Sequence, residues 1–383
     1  MSTSSAPVAE GLAGVVIAET RLSSVNGDIG KLIYAGYNIK DLAEHATFEE
    51  VIYLLWNLKL PTQAELDAFH QELYAQRPLS SSTLEIMQHF PADAHPMAVL
   101  RTLVSMLGVY DENAENNSIE ANKAKATRLV AKMPTIVAAW ERIRQGHEPI
   151  TPRNDLGIAA NFLYMMTGNE PDEAEIDAID AYLVLLADHG LNASTFSARV
   201  TTSTLADIYS AVTTAIGTLK GSAHGGANQK AMEQFVEIGD AEDVETWFNN
   251  ALENKQRIMG IGHRVYKAED PRGTILRARA QAIADKGLET QWFDIAHQLE
   301  KLVRSHEFYI ERNLYANVDY YSAIVLRSVG IPVDQFTCVF AMSRVAGWCA
   351  HILEQWEHNR LIRPRAEYVG EMDLPWVPIE NRD

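Results

Sequence analysis

The run Thr47-Phe48-Glu49-Glu50-Val51-Ile52-Tyr53-Leu54-Leu55-Trp56-Asn57-Leu58 decides the fold class. Thr47 and Glu50 stand at the spacing of a capping box, in which each side chain satisfies the other's free backbone N–H at a helix start. Val51, Leu54, Leu55 and Leu58 then fall on one helical face. Thr62 and Glu65 repeat the device before a second helix. Pro96 suits a first helical turn, with Leu100, Leu103 and Leu107 behind it. After a polar loop at Asp111–Ser118, Pro134 should kink or divide a further helical region, because proline lacks the N–H that the helix needs. The same reasoning gives helices over Leu156–Thr167 (stopped by Gly168), Glu173–Asp188, Ala206–Leu219, Gln229–Ile238, Val244–Arg257, a segment after Pro271, Trp292–Arg312 and Gln335–His358. Only residues 12–36 read as β: Val15, Val16 and Ile17, a turn around Asn26-Gly27, then Leu32-Ile33-Tyr34. The expectation is a mainly α chain with a small N-terminal β hairpin.

At 383 residues the chain exceeds what one compact core usually needs, which predicts about two domains. No repeat, low-complexity tract or Gly/Ser linker marks a boundary. Hydrophobic residues make up 47% of the sequence, which excludes wholesale disorder. A formal charge of −18 sets the surface against nucleic acid and anionic membranes. An anionic substrate therefore needs a local basic pocket, and Lys255–Arg279 supplies seven Lys and Arg against Glu269 and Asp270. Cys338 and Cys349 fall on one predicted helix, roughly 16 Å apart, too far for a disulfide. Their free state fits a reducing cytosol. Met1–Glu10 has no basic region, and the apolar run Gly11–Ala18 is short and flanked by Glu10 and Glu19, a poor leader. No apolar stretch approaches membrane-spanning length. The expected location is the cytoplasm.

Three segments hold polar residues that a helical core would not require. They are Gly221-Ser222-Ala223-His224-Gly225-Gly226-Ala227-Asn228, Gly260-Ile261-Gly262-His263-Arg264-Val265-Tyr266-Lys267 with Asp270-Pro271-Arg272, and Asn317-Val318-Asp319-Tyr320-Tyr321-Ser322. His224 and His263, set among glycines that let backbone approach a ligand closely, form with Asp319 a plausible acid/base set. Read alone, Asp319 fits equally well as the N-cap of the helix that follows. His70, His89, His147 and His306 have no motif around them. Gly260-Ile261-Gly262 lacks the third glycine and preceding strand of a dinucleotide fingerprint. No His-Glu-x-x-His or paired Cys-x-x-Cys spacing for a metal occurs, and no serine elbow.

This trio, in this order and setting, resembles the citrate synthase family, and the likeness extends to flanking segments over most of the chain. The resemblance implies a two-domain helical fold with the site in the cleft. The large domain would comprise residues 1–222 and 326–383, and a small domain, 223–325, would be inserted in it. It implies that Asp319 takes a proton from the acetyl-CoA methyl, that His224 stabilises the enol oxygen, and that His263 polarises the ketone of oxaloacetate. His189, Arg272, Arg344 and Arg363 would hold the substrate carboxylates, which suit planar guanidinium groups. The backbone of Arg257-Ile258-Met259-Gly260-Ile261 would cradle the CoA adenine, with Arg264 and Lys267 near its phosphates. Acetyl-CoA is then a substrate, and neither metal nor cofactor is needed.

Flanking residues depart from the family pattern at four positions: Ser222-Ala223 in place of Pro-Leu, Ala316 in place of proline, and Ala323 in place of glycine. They bear on efficiency and acyl preference. The expected activity is citrate synthase. The alternatives are 2-methylcitrate synthase, acting on propionyl-CoA through the same residues, and a catalytically silent CoA-binding or scaffold protein. The chain is similar to the short form of the family, without the N-terminal extension of the long NADH-sensitive type. That form implies a homodimer or an assembly of dimers.

Overall fold

The computed structural model describes residues 9–12, 14–287 and 290–382. The leader reading at residues 1–8 lies outside the described residues. Seventeen α-helices and one three-stranded antiparallel sheet are present among the described residues. The mainly α expectation holds.

Helix boundaries follow local chemistry. Thr47 and Thr62 both close complete capping boxes, with Glu50 and Glu65 respectively. Gly168 ends helix Ile158–Thr167 in the left-handed conformation, φ 81°. Pro134 neither divides nor ends its helix, which runs unbroken from Ile119 to Arg144. Residues 129–141 of that helix are buried apart from Lys132. Packing against helices Gln63–Gln76, Pro96–Val109, Ile158–Thr167 and Phe336–Glu357 offsets the missing hydrogen bond. The expected helix 292–312 is instead two, Thr290–Ser305 and Glu307–Glu311, because His306 leaves the helical conformation and caps the second.

The hairpin is displaced from its expected first strand. Val15–Ile17 form no strand and are exposed, Val16 at 87%. The strands are β1 (Ser23–Asn26), β2 (Lys31–Tyr34) and β3 (Tyr37–Asn38), with Val25 opposite Leu32 and Ser23 opposite Tyr34. Burial of Leu32 and Tyr34 fixes this register, since a one-residue slip would turn both outward.

Helix Phe336–Glu357 is the central element. It packs on helices Phe48–Asn57, Ile119–Arg144, Glu173–Leu186, Ala193–Ser203 and Ile208–Leu219. The span Val333–Glu357 has the length and apolarity to cross a membrane, but 94% of its apolar window is buried, as in a core helix. Cys338 and Cys349 lie inside it as free thiols. A second group joins helix Val318–Ser328 to Ala227–Ile238 and Pro271–Ala284, and Val244–Glu253 to Thr290–Ser305. Asp319 lies in this second group, on helix Val318–Ser328, and Asn317 ties the His263 segment to it through Gly262 O at 2.7 Å, whereas His224 bonds Ser194 of helix Ala193–Ser203.

Candidate active site

His189, His224, His263, Arg272, Asp319 and Arg344 line one cavity of about 740 Å³. Leu12, Val15, Ile17, Phe196 and Phe340 supply apolar wall. Residues far apart in sequence thus converge on a single cleft.

Backbone donors fix the state of each histidine. Ser194 gives its N–H to His224 Nε2 at 3.2 Å, and its hydroxyl lies 2.8 Å from the same nitrogen. A backbone N–H can only donate, so the network assigns Nε2 as acceptor and leaves the ring hydrogen on Nδ1. His263 has the opposite arrangement: Val265 N and Tyr266 N donate to Nδ1 at 3.0 and 3.1 Å, which places the hydrogen on Nε2. Burial, helped by Arg344 for His224 and Arg272 for His263, lowers each ring to about 4. Both are therefore neutral donors at pH 7.

Asp319 behaves in the reverse sense. Burial raises its carboxyl to about 6, a rise that Arg272 and Arg344 partly oppose and Asp270 reinforces. It remains a carboxylate at pH 7, with a proton affinity well above that of an ordinary aspartate. It is not the N-cap of its helix: Asn317 is, accepting from Asp319 N at 2.9 Å.

The cations are deeply placed. Arg344 is 2% exposed on the central helix, gives Nε to Leu186 O at 2.6 Å and lies 4.8 Å over the Phe340 ring. Arg272 is held by Asp270, which also caps helix Pro271–Ala284 and accepts Val318 N at 3.2 Å. His189 stands 5.8 Å from His263, ring centre to ring centre, with Nε2 3.3 Å from Tyr266 Oη. Burial, then the positive charge of Arg272 and Arg344, keeps His189 neutral. Its loop is fixed by Asp188, which accepts Gly190 N at 3.0 Å and the Ser23 hydroxyl. On its other side Asp188 faces His351 Nε2 at 3.2 Å, and Arg199 donates to His351 Nδ1.

Two groups of sequence-predicted residues are placed elsewhere. Arg363 is exposed and is not among the residues lining the cleft. Arg257–Ile261 do not line it either. Arg257 is exposed, Ile258 and Ile261 are buried, and Met259 N is taken by Gln234 Oε1 at 2.7 Å. Gly260 O accepts Asn317 N at 2.9 Å, and Ile261 bridges Ala316, so this segment braces the start of the Asp319 helix. Sequence reasoning overlooked Ser194 as the partner of His224, and Asp270 as the tie between Arg272 and Val318. Asn192, three residues before Thr195, was the one local sign that a helix begins at Ala193 and presents the Ser194 N–H.

A cleft with two neutral imidazole donors of opposite tautomer, a carboxylate of raised proton affinity and two buried guanidinium groups suits enolisation and addition to a dianionic keto acid. Comparison with known proteins agrees. The model of the citrate synthase C-terminal domain matches residues 11–365. The citrate synthase of Haloferax volcanii is 48% identical over 377 residues, 97% of this chain and 98% of the relative. The crystal structure of citrate synthase from Pyrobaculum aerophilum superposes with a TM-score of 0.92 at 43% identity, covering 100% of this chain and 97% of that one. The Thermoplasma acidophilum enzyme, solved as a ternary complex with carboxymethyl coenzyme A and oxaloacetate, gives a TM-score of 0.90 at 34% identity, over 98% of this chain and all of the other. On sequence and fold together, the chain belongs to the citrate synthase family.

Proposed function

We propose that the chain condenses acetyl-CoA with oxaloacetate and hydrolyses the resulting thioester to citrate and CoA. The observation that carries this reading is the paired donors: His224 Nδ1–H and His263 Nε2–H, each fixed by backbone N–H groups, in one cleft with Asp319. Asp319 removes a proton from the acetyl methyl while His224 hydrogen-bonds the thioester oxygen, which steadies the enol that forms. His263 donates to the ketone oxygen of oxaloacetate and makes its carbon electrophilic. The enol carbon attacks that carbon, forming the carbon–carbon bond. Water then cleaves the thioester, releasing CoA as the free thiol.

Arg272, Arg344 and His189 hold the oxaloacetate carboxylates in this reading, and Arg363 reaches the cleft of a second subunit of a homodimer. Residues 223–325 act as a small domain that closes on 1–222 and 326–383. The adenine of CoA rests near Arg257–Ile261, and no cofactor is required. The setting is the cytoplasm. The test is free-thiol release from acetyl-CoA with oxaloacetate, repeated with propionyl-CoA. One methylene in a pocket is worth only ~1–3 kcal/mol, so acetyl-CoA should be preferred with measurable propionyl turnover. A kcat/KM ratio favouring propionyl-CoA would make this a 2-methylcitrate synthase, and no thiol release with either would make it a silent CoA-binding protein.

A further inference from the structure

The N-terminal hairpin touches both loops that carry the oxaloacetate-facing histidines, one at each end. At its base, Tyr34 Oη donates to Asp188 O at 2.7 Å and accepts Asp188 N at 3.1 Å. Ser23 Oγ bonds the Asp188 carboxylate and accepts Gly190 N at 3.1 Å. His189 lies between those two anchored residues. At its tip, Gly27 O accepts Lys267 N at 2.9 Å and Ala268 N at 3.3 Å.

The tip approaches closer than any side chain would permit. A Cβ on Gly27 would run into the Val265 carbonyl oxygen and lie 2.7 Å from its carbon. A Cβ on Gly30, already at φ +59°, would meet the Glu269 carbonyl oxygen. These obstacles are backbone, so no rotamer change relieves them. The Val265 N–H in turn holds His263 Nδ1, and the Tyr266 hydroxyl faces His189. A displacement of Val265 is therefore a displacement of the His263 ring.

We propose that the hairpin is a spacer that sets His263 against His189, and that Gly27 and Gly30 are positioning residues which let its tip seat on residues 265–269. The proposal rests on the reading of His263 as the group that polarises the oxaloacetate ketone. The hairpin belongs to the large-domain sequence and the 265–269 loop to the small-domain sequence. Seating the tip thus joins the two across the cleft.

The test compares wild type with Gly27→Ala and Gly30→Ala. Gly36→Ala, where φ is +96° but a Cβ would meet nothing within 4 Å, controls for backbone strain in the same region. Gly27→Ala should lower kcat by about a hundredfold, the penalty of a displacement near 1 Å at a reacting centre. Oxaloacetate affinity by calorimetry should fall far less, because Arg272 and Arg344 still hold the carboxylates. The carbon-13 resonance of oxaloacetate labelled at its ketone should move downfield on binding to wild type and Gly36→Ala. It should stay near its free position in Gly27→Ala and Gly30→Ala. A wild-type ketone shift in a folded Gly27→Ala protein would overturn the proposal.

Should Gly27→Ala fail to fold, hydrogen exchange on the unaltered enzyme decides. The Lys267 and Ala268 amides should be protected in the oxaloacetate complex, and unprotected exchange there would also overturn it. Exchange does not depend on turnover. A wild type that releases no thiol yet protects these amides would sink the proposed reaction and leave the spacer standing.

Discussion

Asp270 and Arg272 face each other with almost no solvent between them, Nε to Oδ1 at 3.0 Å and Nη2 to Oδ2 at 2.8 Å. The aspartate and arginine side chains are 1% and 3% exposed. The same carboxylate accepts the N–H groups of Arg272 and Val318. One acidic side chain therefore orients a cleft-lining guanidinium and ties down the start of the helix that presents Asp319. The guanidinium edge turned from Asp270 is the part left for a ligand carboxylate.

The first prediction follows from that double duty. Asp270→Ala leaves Arg272 buried without its partner, which in comparable pairs costs ~3–5 kcal/mol. Chemical denaturation should show a loss of that order. The folded fraction should also bind oxaloacetate more weakly, since Arg272 is no longer aimed. A variant as stable as wild type would show that the pair is not what holds this corner.

The second prediction concerns Asp319 and pH. With its carboxyl raised to about 6, kcat/KM should fall tenfold per unit on the acid side of roughly pH 6. Asp319→Ala should lower kcat by about 10²–10⁴ and leave oxaloacetate affinity within a few-fold. Stability should move the opposite way. A carboxyl that binds its proton more tightly when folded costs stability as pH climbs from its unfolded value of 3.8 through 6. Asp319→Asn should therefore be more stable than wild type at pH 8 by ~1–2 kcal/mol, after allowance for solvent in the cleft, and nearly equal at pH 4. Thermal melts at the two pH values check the sign.

What the sequence disclosed was local. The capping boxes at Thr47 and Thr62 and the stop at Gly168 need only neighbouring residues, and all were legible. The strand Ser23–Asn26 was not, because Ser-Ser-Val-Asn has little of the β-branched and aromatic character that marks strands. Its pairing is imposed by the burial of Leu32 and Tyr34, while the more strand-like Val15–Ile17 finds no partner strand among the described residues. Pro134 misled because its cost is offset by tertiary packing. His224 and His263 stood out by their glycine-rich settings, and they share the cleft with Asp319. What holds them did not stand out: Ser194 lies 30 residues from His224, and Asp270 lies 48 from Val318. Pairings of that span carry no periodicity.

The third prediction concerns coupling between substrates. Arg344 comes from the central helix and Arg272 from helix Pro271–Ala284, and both line the cleft. A dianion held by both favours the arrangement in which they converge, and that arrangement also completes the wall beside His224. Calorimetry should find a non-hydrolysable acetyl-CoA analogue binding more tightly with oxaloacetate present. Linkage requires the analogue to improve oxaloacetate binding by the same factor. Equal affinities in the presence and absence of oxaloacetate would remove the coupling.

The last prediction concerns Arg363, which the single chain does not bring to the cleft. The N–H of Ile362 bonds Ser203 Oγ at 3.0 Å, and Asn359 Nδ2 bonds Ser203 O at 3.1 Å. The tail is thus tied to the C-terminal end of helix Ala193–Ser203, whose N-terminal end lines the cleft. Ten helical steps separate those ends by roughly 15 Å, a gap longer than an arginine side chain. From this anchor Arg363 stays off the lining of its own chain's cleft, which is why the proposed role is service to the cleft of a second subunit. Mixed dimers of Arg363→Ala and His263→Ala chains separate the cases. If Arg363 acts across the dimer, one site receives His263 from the first chain and Arg363 from the second, while the other site carries both lesions. Activity should then recover towards half of wild type in differentially tagged, verified heterodimers, although each parent homodimer is nearly inactive. If Arg363 serves its own chain, every site keeps one lesion and no recovery occurs. If it has no catalytic part, the Arg363→Ala homodimer retains activity, and the shared site is refuted without mixing.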